Sequence, residues 1–172
     1  MSTAHTPVMV ELPVLGADVL EPLVAGDLAR AGAALGHELP PEFLPDTWLW
    51  SLRLGQLLGE PDQAPWLIRA ILAQPVGIVV GHAGFHGPPD AAGMVEVGYR
   101  VVPAHRRRGY ARATLAALLD YAREHGARTA RASISPDNVA SLALTAAAGF
   151  AHTGEQWDEI DGRELVFERP LT

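Results

Sequence analysis

The chain has 172 residues, 48% of them hydrophobic, and a formal net charge of −7, which predicts a single domain spanning residues 1–172. It contains no cysteine, and all 13 Lys/Arg positions are arginine, so a thiol nucleophile, a zinc–thiolate site, a disulfide framework and a lysine Schiff base are excluded. The acidic balance argues against general nucleic-acid binding, and the lack of a targeting or membrane-length apolar segment predicts a cytoplasmic protein without a membrane partner.

The first third of the sequence predicts one strand followed by helices. Val8–Leu15 has the composition of a strand, weakened by Pro13. Asp18 and Asp46 are candidate N-caps, because their carboxylates can accept from unpaired N–H groups at a helix start. Two short helices follow the strand, at residues 19–24 and 27–35. A proline-rich loop at 37–45 then leads to a longer helix at 46–59.

From Trp66 onwards the pattern changes to strands interrupted by two helices. The predicted elements are strands at 66–72, 76–86 and 94–102, a helix at 110–125, a strand at 128–134, a helix at 139–148, and strands at 150–157 and 164–169. Short links predict antiparallel pairing, Asp161-Gly162 predicts a hairpin, and the helix at 110–125 predicts a parallel crossover. The expected fold class is α/β (α+β), with one mixed, mostly antiparallel seven-stranded sheet and helices on both faces.

The stretch from Val95 to Ala111 combines a strand, a turn and a helix start. Pro103 ends the strand, and an apolar helical period begins at Tyr110. Such a junction leaves several backbone N–H groups unpaired at the positive end of the helix dipole, and three arginines add full charges. We interpret residues 106–111, hereafter the arginine turn, as a pyrophosphate-binding site; the alternative is a solvated basic turn.

The arginine turn also carries a resemblance to a known family. Its sequence, Arg-Arg-Arg-Gly-Tyr-Ala, fits the pattern Arg/Gln-x-x-Gly-x-Gly/Ala that marks acetyl-CoA binding in the GNAT superfamily of N-acetyltransferases. Asn138 opens the next strand–helix unit, and Gly149-Phe150 follows its helix. With Glu96-Val97-Gly98-Tyr99 and Ser141, these motifs resemble the branch of ribosomal-protein-alanine N-acetyltransferases.

This resemblance implies a GNAT-like fold, acetyl-CoA as co-substrate and a set of residues that bind it. Backbone N–H groups of the arginine turn would hold the pyrophosphate, and a separation between the strands at 95–102 and 128–134 would admit the pantetheine arm. The N–H of Val101 would polarise the thioester carbonyl. The implied cofactor-binding residues are Val101, Arg106, Arg107, Arg108, Gly109, Tyr110, Ala111 and Asn138.

Two residues are candidates for proton transfer. Glu96 is the candidate base, acting through water, and pairing across the neighbouring strand would place Gly84 opposite it and bring His82 and His86 near. The alternative for Glu96 is a half-exposed carboxylate paired with Arg100. Many relatives carry a tyrosine as the acid at the position of Thr145, which leaves Ser141 or a water; Ser141 can instead serve only its own helix.

The expected function is transfer of an acetyl group from acetyl-CoA to a primary amine by direct attack in a ternary complex, since no cysteine is available for an acyl-enzyme. The acceptor would be a small molecule or a peptide N-terminus, and a homodimer is compatible with the sequence. No metal is expected, because His82 and His86 would lie roughly 13 Å apart along a strand. The alternative function is a non-catalytic acyl-CoA-binding module.

Overall fold

A computed structural model describes residues 7–172. Seven strands form one mixed sheet in the order β1-β2-β3-β4-β5-β7-β6, which confirms the predicted fold class. The strands are β1 Met9–Glu11, β2 Ile68–Gln74, β3 Ile78–Phe85, β4 Met94–Val101, β5 Thr129–Ile134, β6 Ala151–Asp158 and β7 Gly162–Pro170. The helices are α1 Ala17–Val24, α2 Leu28–Leu35, α3 Thr47–Gly59, α4 Tyr110–Glu124 and α5 Val139–Ala147.

The first strand and the first helix differ from their predicted starts and ends. β1 is three residues long, and Pro13 separates it from an isolated bridge between Val14 and Arg69, because proline has no N–H to donate to a ladder. Asp18 is not the N-cap of α1. That position is held by Gly16, and Asp18 lies in the first turn, where its charge still favours the helix dipole.

Two segments between α2 and β2 form 3₁₀ helices, at Pro41–Asp46 and Pro61–Trp66. The first of them replaces part of the predicted loop. Asp46 stands at the N-cap of α3 as predicted but makes no capping hydrogen bond. Its carboxylate instead bonds to His82 and Arg100, since a charged donor offers a stronger bond than a neutral backbone N–H.

The chain divides into two compact units. The first comprises the described residues up to Gly84 together with Tyr99–Thr114. Its core is a hydrophobic cluster from α1, α2, α3 and β2, with Phe43 and Trp50 fully buried. Trp50 donates its indole N–H to the carbonyl of Phe43 at 2.7 Å, which satisfies the polar atom that this large side chain carries into the core.

The second unit comprises Phe85–Gly98 and Leu115–Thr172. Here β4 pairs in parallel with β5, as the intervening helix predicts, and β5 and β6 both pair antiparallel with β7. The hairpin of β6 and β7 turns at residues 159–161, and the Asp158 carboxylate accepts from two N–H groups of that turn. No helix among residues 7–172 is long and apolar enough to cross a membrane.

The predicted neighbour of Glu96 is wrong by two residues. The N–H of His86 donates to the carbonyl of Glu96 at 3.0 Å, so His86 rather than Gly84 lies opposite Glu96. The loop that joins the strands determines this register. Within it, Asp90 accepts from the N–H groups of Ala92 and Met94, and the sequence pattern alone does not show how many residues such a turn consumes.

Candidate active site

The arginine turn has an unusual backbone conformation. After Pro103 ends β4, a short 3₁₀ turn leads to Arg106 in an extended conformation, with φ −68° and ψ 162°. Arg107 follows with φ +59°, the only positive value of a non-glycine residue among residues 7–172, and Gly109 has φ +89°. A left-handed conformation costs an ordinary residue about 1–2 kcal/mol, and strain of this kind is concentrated at binding sites.

The start of α4 leaves backbone donors unpaired, as the sequence predicts. Among residues 7–172, no carbonyl accepts a backbone hydrogen bond from the N–H groups of residues 109–112, and the first bond of the helix runs from Ala113 to Gly109. Arg106 differs, because its N–H donates to the carbonyl of Pro103 at 3.3 Å. The unpaired donors therefore begin later in the arginine turn than its first residue, and they lie at the positive end of a fifteen-residue helix.

The side chains of the arginine turn are presented to solvent. Arg106, Arg107 and Arg108 are exposed, whereas Tyr110 and Ala111 are half-buried. Arg106 folds back so that its Nε donates to the carbonyl of Val101 at 2.9 Å. A Cβ at Gly109 would lie 3.2 Å from the Cγ2 of Val8, so a side chain here would require Val8 to shift and would also be strained by the positive φ.

The ladder between β4 and β5 ends at Glu96. The ladder with β5 consists of the pairs Met94–Thr129, Val95–Ala130 and Glu96–Arg131. No described residue extends it, although β4 continues to Val101 and β5 to Ile134. Val102 donates to Val80 of β3, and backbone groups alternate in direction along a strand, so the N–H and C=O of Val101 point away from β3.

Glu96 lies beside one of its two predicted histidines. Its carboxylate is 3.7 Å from the Nδ1 of His86, and the two side chains are 22% and 55% exposed. The other histidine, His82, is buried and contacts Asp46 at 3.3 Å. The alternative partner of Glu96 is also wrong, because Arg100 bonds to Asp46 at 2.9 Å.

Asn138 and Ser141 are brought together at the start of α5. Asn138 is the N-cap, and its Oδ1 accepts from the backbone N–H of Ser141 at 3.1 Å. Both side chains lie at or near the surface. Thr145, by contrast, is fully buried, and its hydroxyl has no partner among the described residues, which is the environment of a core residue and not of a proton donor.

Glu164 on β7 belongs to an acidic C-terminal hairpin that, from the sequence, could border an acceptor entrance or simply be solvated, and its burial was not predicted. Glu164 is 8% exposed and accepts a hydrogen bond from the Nε2 of Gln156 at 2.8 Å. Burial raises the pKa of Glu164; the bond from Gln156 opposes this shift, while the charges of Asp158, Asp161 and Glu96 add to it. The alternation along β7 could have indicated an inward-facing position, but it does not show that the neighbours are acidic.

A second buried carboxylate, Asp46, has cationic partners. Hydrogen bonding to His82 lowers the pKa of Asp46, burial opposes this shift, and the charge of Arg100 lowers the pKa further. The imidazole of His82 lies edge-on to the rings of both Phe43 and Trp50. This arrangement holds β3 and β4 to the start of α3 and needs no ligand to complete it.

One cavity of the first unit does not involve the candidate residues. It has a volume of about 650 Å³ and is lined by α2 and the loop that follows it, and its lining includes neither Glu96 nor any residue of the arginine turn. Among residues 7–172, no group of three or more histidine, aspartate or glutamate side chains has an arrangement that could hold a metal ion.

The sequence is similar to those of known acetyltransferases. The family model described as an acetyltransferase (GNAT) domain matches residues 30–151. The L-methionine sulfoximine/L-methionine sulfone acetyltransferase of Salmonella typhimurium is 33% identical over 103 residues, which are 58% of this chain and 56% of that protein. The alignments with two curated relatives span 26% and 56% of the relatives' lengths.

Solved structures share the fold at low sequence identity. The ribosomal-protein-S5-alanine acetyltransferase of Vibrio fischeri superposes with a TM-score of 0.66 at 15% identity, covering 98% of this chain and 97% of that one. The phosphinothricin acetyltransferase of Sinorhizobium meliloti, in complex with AcCoA, superposes with a TM-score of 0.61 at 21% identity, covering 94% and 88%. Since the family model matches more than half of its length, the chain belongs to the GNAT acetyltransferase family, whose members use acetyl-CoA.

Proposed function

We propose that the protein is an N-acetyltransferase that moves an acetyl group from acetyl-CoA to a primary amine. The observation that carries this proposal is that the N–H groups of residues 109–112 have no backbone partner in the described part of the chain and follow three exposed arginines at a left-handed turn. A pyrophosphate is a doubly charged anion with several acceptor oxygens. Unpaired N–H groups at a helix start, together with guanidinium groups, are the protein groups that bind such an anion.

Residues of the arginine turn and β4 would hold acetyl-CoA, which supplies the acetyl group as an activated thioester. Gly109, Tyr110 and Ala111 would bind the pyrophosphate through their N–H groups, while Arg106, Arg107 and Arg108 would add charge, and Asn138 is proposed to lie beside the same co-substrate. Arg106 would release the carbonyl of Val101 as it turns to the phosphates. Val101, whose N–H and C=O point away from β3, would then serve as a backbone partner for the pantetheine arm.

Glu96 would act as the general base. An attacking amine must be neutral, yet an α-amine or a lysine side chain titrates near ~8 or ~10.4, so a proton has to be removed at neutral pH. Glu96 would receive this proton, directly or through a water. The Nδ1 of His86 lies 3.7 Å from the Glu96 carboxylate. The N–H of Val101 would stabilise the negative charge that develops on the carbonyl oxygen.

The proton that the departing sulfur gains would come from Ser141 or from water. The burial of Thr145 supports this proposal, because that hydroxyl is shielded from any ligand. Ser141 already gives its backbone N–H to Asn138, while its side-chain hydroxyl is half-buried at the first turn of α5. The direct mechanism needs no further group on the protein, since no covalent acyl-enzyme has to form.

The acceptor is proposed to be a small amine or a peptide N-terminus. The Salmonella relative is named for amino-acid-like acceptors, L-methionine sulfoximine and L-methionine sulfone, and the Vibrio structure for an alanine of ribosomal protein S5. The contrasting function is an acyl-CoA-binding module without turnover, which the absence of a tyrosine at position 145 keeps open. Release of free thiol from acetyl-CoA across a panel of amines and peptides separates the two; tight CoA binding without any product would favour the module.

The variant Glu96→Gln tests the chemical step. It removes the proton acceptor but keeps the shape of the side chain, so kcat should fall by about 10²–10⁴-fold. Calorimetric CoA affinity should be retained. Unchanged kcat in Glu96→Gln would remove Glu96 from the mechanism, whereas equal loss of CoA binding would indicate a structural role.

A further inference from the structure

The second unit carries a row of polar side chains on one face of its strands. Residues paired in a β-ladder project their side chains to the same face, and so do residues two apart along a strand. The pairs that define the face are Glu96 with Arg131, Arg131 with Glu168, Ser133 with Val166, and Gln156 with Glu164. Glu96, the proposed base, therefore shares its face with Ser133, Gln156 and Glu164.

Glu164 is a buried carboxylate held by a neutral partner. Its Oε2 accepts from the Nε2 of Gln156, and the same Nε2 reaches the Oγ of Ser133 at 3.1 Å. Among residues 7–172, no arginine or histidine nitrogen lies within 4.0 Å of the Glu164 carboxylate. The two nearby arginines of this sheet are engaged elsewhere, Arg131 with Glu168 and Arg163 with Glu155.

This environment is unusual for a buried acid. A carboxylate taken out of water normally has a cation beside it, because its lost hydration is otherwise uncompensated. Asp46, which is buried to the same extent as Glu164, has Arg100 and His82 as partners. Glu164 has instead three acidic neighbours, Glu96, Asp158 and Asp161, whose charges raise its pKa beyond the effect of burial. The face therefore has a negative potential and no cation of its own at Glu164.

We propose that Glu164 binds a cationic group of the acceptor and selects amines that carry a second positive charge. The inference rests on the proposed function, because the reacting amine has to approach Glu96 and Glu164 lies on the same face. A second ammonium group would supply the cation that Glu164 lacks and would form a charge-assisted hydrogen bond with it. Gln156 and Ser133 position the carboxylate, and no proton transfer is assigned to Glu164.

A matched pair of acceptors tests this specificity. 1,4-Diaminobutane and butylamine present the same primary amine, and only the first has a second ammonium. The wild-type protein should show a kcat/KM ratio that favours the diamine, mainly through a lower KM. Glu164→Gln should reduce this preference about 10-fold or more, since one charge-assisted contact is lost, and Glu164→Asp, which retains the charge, should keep part of it.

Glu155→Gln is the control variant. Glu155 lies on the same hairpin but is exposed and paired with Arg163, so its loss should leave the ratio unchanged. An unchanged diamine preference in Glu164→Gln, or an equal loss in Glu155→Gln, would overturn the inference. Calorimetric titration of 1,4-diaminobutane into the CoA-bound protein measures binding without turnover. If the diamine bound in a Glu164-dependent way but no acetylated product formed, the proposed function would be contradicted and the role of Glu164 in binding would stand.

Discussion

Two carboxylates of similar burial, Asp46 and Glu164, have opposite pKa shifts because their neighbours differ. Asp46 is surrounded by donors that stabilise its charged form, and Glu164 by a neutral amide and by other acids. The charged form of Asp46 is therefore favoured by folding, whereas that of Glu164 is opposed by it. At the scale of single residues, the first arrangement stabilises the fold, and the second leaves a charge for a ligand to compensate.

The pH dependence of stability tests the assignment of Asp46. The pKa of Asp46 is lower in the folded protein than the ordinary value of 3.8, so its carboxylate stabilises the fold at pH values above 3.8. This stabilisation is lost as the pH falls through the pKa of the folded state. Asp46→Asn should therefore lower the free energy of unfolding at pH 7 by about 1–3 kcal/mol, less than for a fully buried pair because Arg100 is half-exposed. Urea unfolding at pH 7 and pH 3 should show this difference shrinking at the lower pH.

Asp120→Asn provides the comparison, because Asp120 forms an exposed pair with Arg123 one turn away on α4. Such a pair contributes roughly 0.5 kcal/mol or less. If Asp46→Asn cost no more than Asp120→Asn, or if its effect were the same at both pH values, the ionic role of Asp46 would be wrong.

At the scale of elements, hydrophobic periodicity and Gly/Pro positions predicted every strand and α-helix of the sheet region to within a few residues. The hydrophobic pattern predicts these elements because each of them buries one side. On β4, for example, the apolar residues Val95, Val97 and Val101 are buried, while Glu96 and Arg100 between them are not. Partners distant in sequence were not predictable. The register of Glu96 depends on the Asp90 turn, and the partner of Arg100 comes from a 3₁₀ segment whose start no local pattern specifies.

The start of α5 gives a prediction about Asn138, which is both an N-cap and a proposed contact of CoA. Asn138→Ala should lower the free energy of unfolding by about 0.5–2 kcal/mol through loss of the bond to Ser141, while Asn138→Asp should keep it, since aspartate caps equally well. If Asn138 also lies beside CoA, the added negative charge of Asn138→Asp should weaken CoA binding. Wild-type CoA affinity in Asn138→Asp would remove Asn138 from the binding residues.

At the scale of the whole molecule, the family and the fold are those that the sequence motifs predicted. The motifs did not identify the acceptor. The family model ends at residue 151, so most of β6 and all of β7, including Glu164, lie beyond the range that it matches. The unpaired N–H groups at the start of α4 were predictable because they depend on local backbone, while the role of the arginine turn in binding pyrophosphate stays a prediction. The common face of Glu96, Ser133, Gln156 and Glu164, where the acceptor is proposed to bind, was not predictable, because only the folded sheet brings these side chains together.

Calorimetric titration of CoA into three proteins tests the central claim, that unpaired N–H groups at the start of α4 bind the pyrophosphate. The proteins are the wild type, Gly109→Glu and Gly126→Glu. Gly126 is the control for charge and backbone strain, because its φ of +87° at the other end of α4 is close to the +89° of Gly109. A Cβ at Gly126 would meet open space, whereas one at Gly109 would also lie 3.2 Å from the Cγ2 of Val8. Both substitutions therefore introduce similar backbone strain and the same charge.

The wild type and Gly126→Glu should bind CoA with similar affinity, and Gly109→Glu should lose about 100-fold or more, because a carboxylate would stand among the donors that the phosphates need. Equal CoA affinity in Gly109→Glu and Gly126→Glu would contradict a pyrophosphate site at the arginine turn.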